Sequence, residues 1–364
     1  MTERDFDIAP PLPGARICVV GAGFMGCVIA TLYSRHGYDV VVNDVQTEML
    51  QQFGTRAMPI ASAITGDEAH AKNVVDRIRF EGDLERAVEG AILVHEVVQE
   101  VLSVKQALFH RLDRLCRENV VIATNTSSFL LSQIATDVTH KRRVLGIHYV
   151  TPAHIVRVVE LIHAEFTPPE VVEWGGTFVS SLDHVDVAIA ERPGFLVNRI
   201  QFAMLSEIYR LMDEGLASRE GIDAAVRLSL GPRLALWGPL LTEDLVVSKR
   251  TALAVTDSLY DQTGDENFKA RKALRQLVDQ GHLGALTGKG WYEFGRGHEE
   301  VVTERDRQLA ELLTWLRDYD AVGRIGVRSP APSSPNRACD QVEGYLGPRS
   351  EFRRGIAIKR CRRR

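Results

Sequence analysis

Short apolar segments alternate with helix-like segments along the first half of the chain. Residues 17–20 form an apolar run without polar alternation, which is typical of a parallel strand covered on both faces. Residues 103–117 instead place apolar side chains at the spacing of an amphipathic helix. Strands that alternate with helices predict a doubly wound parallel sheet. The first two strands lie on either side of a helix, and the second of them leads to Asp44. The further predicted strands are 77–83, 91–94, 120–123, 144–147, 157–163 and 185–189. The further predicted helices of this half are 84–88, 103–117, 130–136 and 169–182.

The pattern changes at Arg192-Pro193-Gly194, after which helical periodicity dominates. The predicted helices here are 195–214, 222–230, 240–260 and 268–280, and a last one begins with Thr303 and Asp306 as a capping box and runs to about Asp318. The sequence thus predicts an α/β protein, with a Rossmann-type doubly wound sheet followed by an all-helical C-terminal domain.

A glycine-rich turn joins the first strand to the first helix. Gly21 permits the tight turn, Gly23 lets the backbone approach a pyrophosphate, and Gly26 lets the helix pack closely on the strand. The helix N-terminus offers unpaired N–H groups and the positive end of its dipole to phosphate. The second strand ends at Asp44, near the spacing at which a carboxylate binds the adenosine ribose. The predicted dinucleotide-binding residues of this segment are Gly21, Gly23, Phe24, Met25, Gly26 and Asp44.

Asp44 also favours NAD over NADP. A carboxylate at that position repels a 2′-phosphate, and the next residues, Val45, Gln46 and Thr47, supply no cation. A glycine-rich turn is often only a turn, but here two strands and the acidic residue accompany it. We therefore expect NAD as the cofactor.

The composition is that of a globular protein large enough for two domains. Of the 364 residues, 45% are apolar and 25% are charged. The N-terminal residues lack the apolar core of a secretory signal, and the most apolar window, residues 17–33, contains three glycines and is short for a membrane span. Five cysteines without paired spacing fit a reducing compartment and no zinc site. We expect a cytoplasmic protein without a metal or a membrane anchor.

Charge is distributed unevenly along the chain. Residues 325–364 carry ten Lys or Arg against three Asp or Glu, a charge of +7. Because the net charge of the whole chain is −4, the remaining residues carry −11. Such a tail can bind a polyanion, but its Pro/Ser-rich composition is typical of a disordered extension. We expect residues 323–364 to be a disordered basic tail, with nucleic-acid binding as the less favoured interpretation.

Four polar residues are candidates for the chemistry: Ser127, His148, Glu160 and Asn198. Ligands of a doubly wound sheet bind at the carboxyl ends of its strands, where Ser127 and His148 are predicted to lie. His148 suits proton transfer near neutral pH, and Glu160, in an otherwise apolar strand, could orient its ring. Each residue also has an ordinary interpretation, because a histidine can be structural, an acid can lie exposed on an edge strand, and Ser or Asn often caps a helix.

The sequence resembles the 3-hydroxyacyl-CoA dehydrogenase family over about residues 15–295. The motifs that carry the resemblance are VVGAGFMG (19–26), EVLSVKQALFHRLD (100–113), TNTSS (124–128), GIHYVTPAHIVRVVELI (146–162), RPGFLVNRI (192–200), DEGLASREGIDAAV (213–226) and LGALTGKGWYEF (283–294). Because they span both predicted domains in order, the resemblance is specific to the family. We expect a flexible N-terminus (1–14), an NAD-binding Rossmann domain (15–191) and a helical C-terminal domain for substrate binding and dimerisation (192–322).

The resemblance implies an NAD-dependent oxidoreductase, as in fatty-acid metabolism, that interconverts a small-molecule 3-hydroxyacyl substrate and its 3-keto form. It makes His148 the general base that takes the hydroxyl proton, and Glu160 the carboxylate that orients the imidazole. Ser127 and Asn198 then bind the substrate oxygen. The remaining cofactor-binding residues that it implies are Glu100, Lys105 and Asn125. It also implies a homodimer.

Two features depart from the family pattern. Thr151 stands where the family's His-x-x-Asn-Pro has its asparagine. This predicted substrate-binding residue therefore offers a hydroxyl instead of the paired donor and acceptor of an amide. The segment 230–240, LGPRLALWGPL, is longer than the family's Gly-x-Pro-x-Gly-Pro and resembles the branch with L-gulonate 3-dehydrogenase (lambda-crystallin) and carnitine dehydrogenase. Substrates in that branch are often free acids, for which Arg233 could be a carboxylate clamp. A solvated or helix-capping arginine is an equal alternative.

Two alternatives to an acyl-CoA dehydrogenase follow. The first is a dehydrogenase or reductase of a free β-hydroxy acid, including a ketoreductase of secondary metabolism. The second is a non-catalytic NAD(H)-binding structural or sensor protein. The retained set of Ser127, His148, Glu160 and Asn198 argues against the second alternative, whereas Thr151 keeps it open.

Overall fold

The computed structural model describes residues 8–317, so the predicted basic tail and the end of the last predicted helix lie outside the described residues. The chain divides into two compact units at Glu214–Gly215. This division comes one helix later than the change of pattern at Arg192, because the helix that follows Arg192 belongs to the first unit.

The first unit is built on one eight-stranded sheet in the order β3-β2-β1-β4-β5-β6-β7-β8. Its strands are β1 (Arg16–Val20), β2 (Asp39–Asn43), β3 (Arg79–Phe80), β4 (Ala91–Glu96), β5 (Val121–Thr124), β6 (Val144–Tyr149), β7 (Val158–His163) and β8 (Val185–Ala190). The order reverses between β1 and β4, so the ligand crevice lies at the carboxyl ends of these two strands. The predicted doubly wound sheet is confirmed.

The prediction that the sheet is parallel throughout was wrong at one place. Neighbouring strands are parallel except β6 and β7, which run antiparallel. The physical reason is the short connection between Tyr149 and Val158. A parallel pair needs a crossover of a dozen or more residues, whereas an antiparallel pair needs only a short loop.

Helices flank the sheet of the first unit. They are α1 (Phe24–Arg35), α2 (Thr47–Gln51), α3 (Phe53–Thr65), α4 (Glu68–Asp76), α5 (Leu84–Val88), α6 (Leu102–Leu115), α7 (Leu131–Ile134), α8 (Pro169–Ser180) and α9 (Val197–Asp213). The sequence predictions missed α2, α3 and α4 and made β3 too long. Helix α3 contains Pro59, which weakens its helical signal, and it packs against α1 and α4. Tertiary packing therefore stabilises it.

The strands are apolar throughout because both faces of the sheet are covered. In β1, Ile17 and Val19 belong to the apolar cluster on one face, whereas Cys18 and Val20 belong to the cluster on the other. Each fully buried aliphatic side chain of this kind stabilises the fold by about 1.5–3 kcal/mol. The carboxyl ends of the strands are thus held rigidly, which positions the polar residues that follow them.

A hydrogen-bonded row of three polar side chains crosses this core. The Tyr33 hydroxyl lies 2.7 Å from His95 Nδ1, and the Tyr149 hydroxyl donates to that of Tyr33 at 3.4 Å. None of the three residues is more than 1% exposed. Burial lowers the pKa of His95 to about 3, because an imidazolium there would lose its hydration. The ring is therefore neutral in the folded protein near neutral pH.

We expect His95→Gln to flatten the pH dependence of folding stability. The pKa of His95 falls from 6.5 to about 3 on folding, so in between the unfolded chain binds a proton that the folded chain does not. The stability associated with the neutral ring is complete above about pH 6.5 and is lost as the pH falls. Between about pH 7 and about pH 5, the free energy of unfolding should fall by ~2 kcal/mol more in the wild type than in the variant.

Urea denaturation followed by circular dichroism at the two pH values measures this difference. The matched control is His70→Gln, a substitution of an exposed histidine. An equal fall in the free energy of unfolding for wild type and His95→Gln would contradict the assignment of a neutral buried ring.

The described part of the second unit is helical. Its helices are α10 (Arg219–Ala225), α11 (Gly231–Val246), α12 (Lys249–Thr263), α13 (Lys272–Asp279) and α14 (His298–Arg317), and a π-helical turn (Val226–Leu230) joins α10 to α11. The helix thus continues through most of the unusual segment 230–240. Its kink is at Gly238, with φ 70° and ψ 174°, followed by Pro239.

Two helix predictions in this unit were wrong. Residues 240–260 do not form one helix, because extended Val247 and Ser248 separate α11 from α12. Across that break the buried Lys249 Nζ lies 2.5 Å from Asp244 Oδ1, a tertiary ion pair that periodicity does not reveal. Helix α14 begins at His298, so Thr303 lies inside it, bonded to Glu299 O, and is not its cap. Among residues 8–317, no helix is both long and apolar enough to cross a bilayer.

Candidate active site

The glycine turn between β1 and α1 has the shape of a phosphate cradle. Gly21 has φ 113°, and a Cβ on Gly26 would lie 1.9 Å from Gly21 O, so a side chain is excluded at Gly26. A Cβ on Gly23 would meet no atom within 4 Å, so the space beside that residue is open. The N-terminus of α1 begins there, at Phe24. The turn therefore fits a pyrophosphate bound by backbone N–H groups.

Asp44 lies directly after β2, in the same crevice. Its Oδ2 accepts a hydrogen bond from Ala22 N at 2.7 Å, and its Oδ1 accepts one from Gln46 N at 2.9 Å. With Gly21 and Gly23 it lines a cavity of about 370 Å³. Arg111 of α6 also lines this cavity and is a cation that the sequence predictions missed, because it is distant from Asp44 in the chain.

A cluster of charges at the carboxyl end of β4 contains the predicted residues Glu100 and Lys105. Lys105 Nζ lies 3.1 Å from Glu100 Oε2 and donates to Glu96 Oε1 at 2.7 Å. Glu100 Oε1 accepts hydrogen bonds from Ser127 N and Ser128 N, both at 3.2 Å. Burial alone would raise the pKa of Glu100, but hydroxyl groups of the neighbouring loop and Lys105 outweigh it, so that pKa is lowered. The sequence predictions missed Glu96.

His148 and Glu160 form a buried pair on the two antiparallel strands. They lie opposite each other in the register of β6 and β7, and His148 Nδ1 lies 2.6 Å from Glu160 Oε2. If Nδ1 carries the proton and donates it to the carboxylate, Nε2 keeps its lone pair for a substrate proton. His148 is 7% exposed and Glu160 is fully buried.

Glu160 also fixes the start of α9. Its Oε1 accepts hydrogen bonds from Leu196 N and Val197 N, both at 2.9 Å. Burial alone would raise the pKa of Glu160, but the His148 ring and these two N–H groups outweigh it, so the pKa of this carboxyl is lowered. The carboxylate therefore stays ionised near neutral pH beside the imidazole.

The structure brings Ser127 and Asn198 together at the same edge of the sheet. Asn198 follows the two residues that Glu160 anchors, and its Nδ2 donates to Ser127 O at 3.2 Å. Asn125 lies in the loop after β5, and its Oδ1 accepts from Tyr149 N at 2.9 Å, next to His148. Direct contacts thus link β5, β6, β7 and α9 around the four predicted catalytic residues.

The other predicted residues are placed as follows. Thr151 follows β6, and its hydroxyl donates to Met25 Sδ at 3.9 Å, so it contacts the glycine turn. Phe24 is 61% exposed at the start of α1. Arg233 lies in the second unit, where its Nε donates to Ser229 O at 2.8 Å and it lines a cavity of about 370 Å³ with Arg305. Its assignment as a carboxylate clamp stays a prediction.

A dinucleotide crevice beside a buried His–Glu pair is the arrangement of an NAD-dependent dehydrogenase that acts on an alcohol. Models of two domains match the chain: the 3-hydroxyacyl-CoA dehydrogenase NAD binding domain over residues 16–192 and the C-terminal domain of the same enzymes over residues 194–294. The chain therefore belongs to the 3-hydroxyacyl-CoA dehydrogenase family. This confirms the expected family, fold class and cofactor, NAD.

Individual relatives agree with this assignment. A probable 3-hydroxybutyryl-CoA dehydrogenase of Bacillus subtilis is 30% identical over 77% of this chain and 97% of the relative. A 3-hydroxyadipyl-CoA dehydrogenase of Escherichia coli is 33% identical over 79% of this chain and 60% of the relative. The crystal structure of a 3-hydroxyacyl-CoA dehydrogenase from Archaeoglobus fulgidus superposes with a TM-score of 0.73 at 30% identity, covering 83% of this chain and 99% of that one.

We expect Asp44→Ala to narrow the preference for NAD over NADP by about tenfold in kcat/KM. The substitution removes the charge that repels a 2′-phosphate and leaves Arg111 at the cavity. Steady-state kinetics with both cofactors measure the ratio. Asp44→Asn is the matched control for hydrogen bonding, since its amide oxygen can still accept from Ala22 N. An unchanged preference in Asp44→Ala would place the ribose elsewhere.

Proposed function

We propose that the protein reversibly oxidises a 3-hydroxyacyl-CoA thioester to the 3-ketoacyl-CoA with NAD, and that His148 is the general base. The observation that carries this proposal is the buried His148–Glu160 pair, 2.6 Å apart, at the edge of the sheet that also holds Ser127 and Asn198. The named relatives that act on 3-hydroxybutyryl-CoA and 3-hydroxyadipyl-CoA support the substrate class.

Each residue of the pair has a distinct part in the reaction. His148 Nε2 takes the proton of the substrate hydroxyl as the alcohol becomes a ketone. Glu160 keeps the ring in the required tautomer and stabilises the imidazolium that forms. A positioned base of this kind supplies about 10²–10⁴-fold in rate. Ser127 and Asn198 hydrogen-bond the substrate oxygen and orient the alcohol toward the base.

Separate residues would hold the cofactor. The turn from Gly21 to Gly26 would hold the pyrophosphate and Asp44 the adenosine ribose, whereas Lys105 and Glu100 would bind the ribose of the nicotinamide half. Asn125 would lie close by, on the loop after β5. NAD supplies the hydride acceptor when it is bound.

A free β-hydroxy acid is the second candidate substrate, and Thr151 is the observation that favours it. Its hydroxyl replaces an amide that donates and accepts at once, and here it contacts Met25. A pocket with a short hydroxyl in place of the longer amide offers a different arrangement of donors and acceptors to the substrate oxygens. Arg233 would then be tested as the partner of the free carboxylate.

One assay separates the candidates. NADH formation is followed with purified protein on (S)-3-hydroxybutyryl-CoA, 3-hydroxybutyrate, L-gulonate and L-carnitine. We expect turnover of the thioester. Turnover of the free acids alone would replace the acyl-CoA assignment with the second candidate. NADH binding without turnover of any substrate would support a structural or sensor protein.

We also propose that the protein is a homodimer in the cytoplasm. Apolar side chains of α9 are exposed in the single chain, among them Ile200 (58%), Phe202 (60%) and Tyr209 (56%). Large apolar side chains exposed along one helix are available to a protein–protein interface, which supports the dimer. Sedimentation velocity tests the dimer.

The proposed location in the cytoplasm is supported by the cysteines. The three described cysteines, Cys18, Cys27 and Cys116, are buried free thiols, which suits a reducing compartment.

A further inference from the structure

A buried carboxylate lies behind the cofactor crevice and has no part in the proposed mechanism. Glu96, at the carboxyl end of β4, is fully buried, and its partner Lys105 is only 1% exposed. In the register of the sheet, Glu96 lies opposite Val20 of β1 and Thr124 of β5. It is therefore situated at the point where the strand order reverses. A carboxylate is costly to bury there unless it is paired with a cation and hydrogen-bonded.

Every contact of Glu96 fixes its position. Its Oε1 accepts hydrogen bonds from Lys105 Nζ and from Val98 N, both at 2.7 Å, and its Oε2 accepts one from Thr124 Oγ1 at 2.7 Å. Two of these donors are closely tied to the backbone, because Thr124 ends β5 and Val98 N is a backbone group. The carboxylate thus provides a fixed negative charge for the one flexible partner, Lys105.

Lys105 in turn lies between the buried Glu96 and the more exposed Glu100 at the crevice. Its Nζ lies between Glu96 and Glu100, 3.1 Å from Glu100 Oε2. Whereas Glu96 is fully buried, the side chain of Glu100 is 37% exposed. A lysine side chain samples many rotamers when it is free, and binding a ligand with it costs entropy. Two carboxylates that hold the ammonium in advance remove much of that cost.

We propose that Glu96 is a positioning residue for NAD: it holds the ammonium of Lys105 beside Glu100, where the two bind the ribose hydroxyls of the nicotinamide half. This proposal rests on the roles proposed above for Lys105 and Glu100. Glu96 contacts neither His148 nor Glu160 through any hydrogen bond that the structure contains within residues 8–317. Its loss should therefore weaken cofactor binding and leave proton transfer largely intact.

A double-mutant cycle on NADH binding tests this proposal. The dissociation constant of NADH is measured by fluorescence titration for the full-length wild type, Glu96→Gln, Lys105→Met and the double variant. We expect Glu96→Gln to weaken binding about tenfold in the wild-type background, as is typical for loss of a charged hydrogen bond. In the Lys105→Met background we expect less than a twofold further change, because Glu96 acts through Lys105.

The kinetic constants should also show an effect on cofactor binding without an effect on catalysis. With Glu96→Gln, KM for NAD should rise about tenfold, while kcat at saturating NAD stays within about threefold of the wild type. The matched control is Thr124→Val, which removes a neutral hydrogen bond from the same carboxylate but keeps its ion pair. Its NADH affinity should stay within about threefold of the wild type.

Three results would overturn the proposal. They are an NADH affinity of folded Glu96→Gln within twofold of the wild type, losses that add fully in the double variant, and a fall in kcat without a change in KM. If Glu96→Gln does not fold, Glu96→Asp carries the test, because it keeps the charge but withdraws it from Lys105. It should weaken NADH binding about threefold, and unchanged affinity would contradict the positioning role. Since the titration needs no substrate, it stands even if the thioester is not turned over.

Discussion

His148→Gln is expected to lower kcat at least about a hundredfold and to leave NADH affinity nearly unchanged. Glutamine can form a hydrogen bond to Glu160 but cannot take up the hydroxyl proton, so general-base catalysis is lost. The residue lies on β6 rather than on the glycine turn, so cofactor binding does not depend on it. Steady-state rates with the best substrate of the panel and fluorescence titration of NADH measure the two quantities.

The matched control for this prediction is His163→Gln at the end of β7. We expect it to keep kcat within about twofold of the wild type, because His163 is a half-buried residue at the far end of the strand, outside the site. An unaltered kcat in His148→Gln would contradict its assignment as the base. A loss of NADH affinity together with kcat would instead indicate that the sheet edge had been disturbed.

The second large effect is expected for Glu160→Gln, with kcat lower by about thirtyfold to a hundredfold. The amide group of glutamine can donate to His148 Nδ1, which places the ring proton on Nε2, where the lone pair is needed. The imidazolium that forms during the reaction also loses its counter-charge. Because the His148 ring and two backbone N–H groups lower the pKa of Glu160, its carboxylate is ionised near neutral pH, and the difference in kcat between wild type and variant should be present there.

A pH profile of kcat for both proteins tests this expectation. Glu160→Asp keeps the charge but withdraws it, and should lie between the two. Glu165→Gln, an exposed acid just after the same strand, is the matched control. Equal rates for wild type and Glu160→Gln would show that the carboxylate has only a structural part in anchoring Leu196 and Val197.

NAD could be predicted from the sequence because the determinants of dinucleotide binding are local. The glycines between Gly21 and Gly26 and the acidic residue at the end of the next strand act through backbone conformation within one βαβ unit. The predicted strands agree with the structure to within a few residues for the same reason, except at β3. In contrast, α2 to α4 were missed. Helices α3 and α4 pack on α1, and α2 contacts α3, so tertiary contacts rather than a strong sequence periodicity stabilise them.

The catalytic half was predicted through resemblance, and its geometry comes from long-range pairing. His148 and Glu160 are separated by a short loop, and the expected parallel sheet would not have placed them side by side. The antiparallel register of β6 and β7 sets them opposite each other. Asn198 lies beside them because Glu160 accepts hydrogen bonds from the two residues before it and because its own amide donates to Ser127 O.

The sequence by itself indicated the doubly wound sheet, NAD as the cofactor and the family, and it made Ser127, His148, Glu160 and Asn198 the candidates for catalysis. The tertiary structure adds the direction of β7, the division of the chain after Glu214, the cation Arg111 at the cavity that Asp44 lines, and the buried carboxylate Glu96. The physical reason is that glycine conformation and helix dipoles act over a few residues and are visible in sequence. Strand direction, burial and charge pairing depend on residues that are distant in the chain, and these interactions exist only once the sheet has formed.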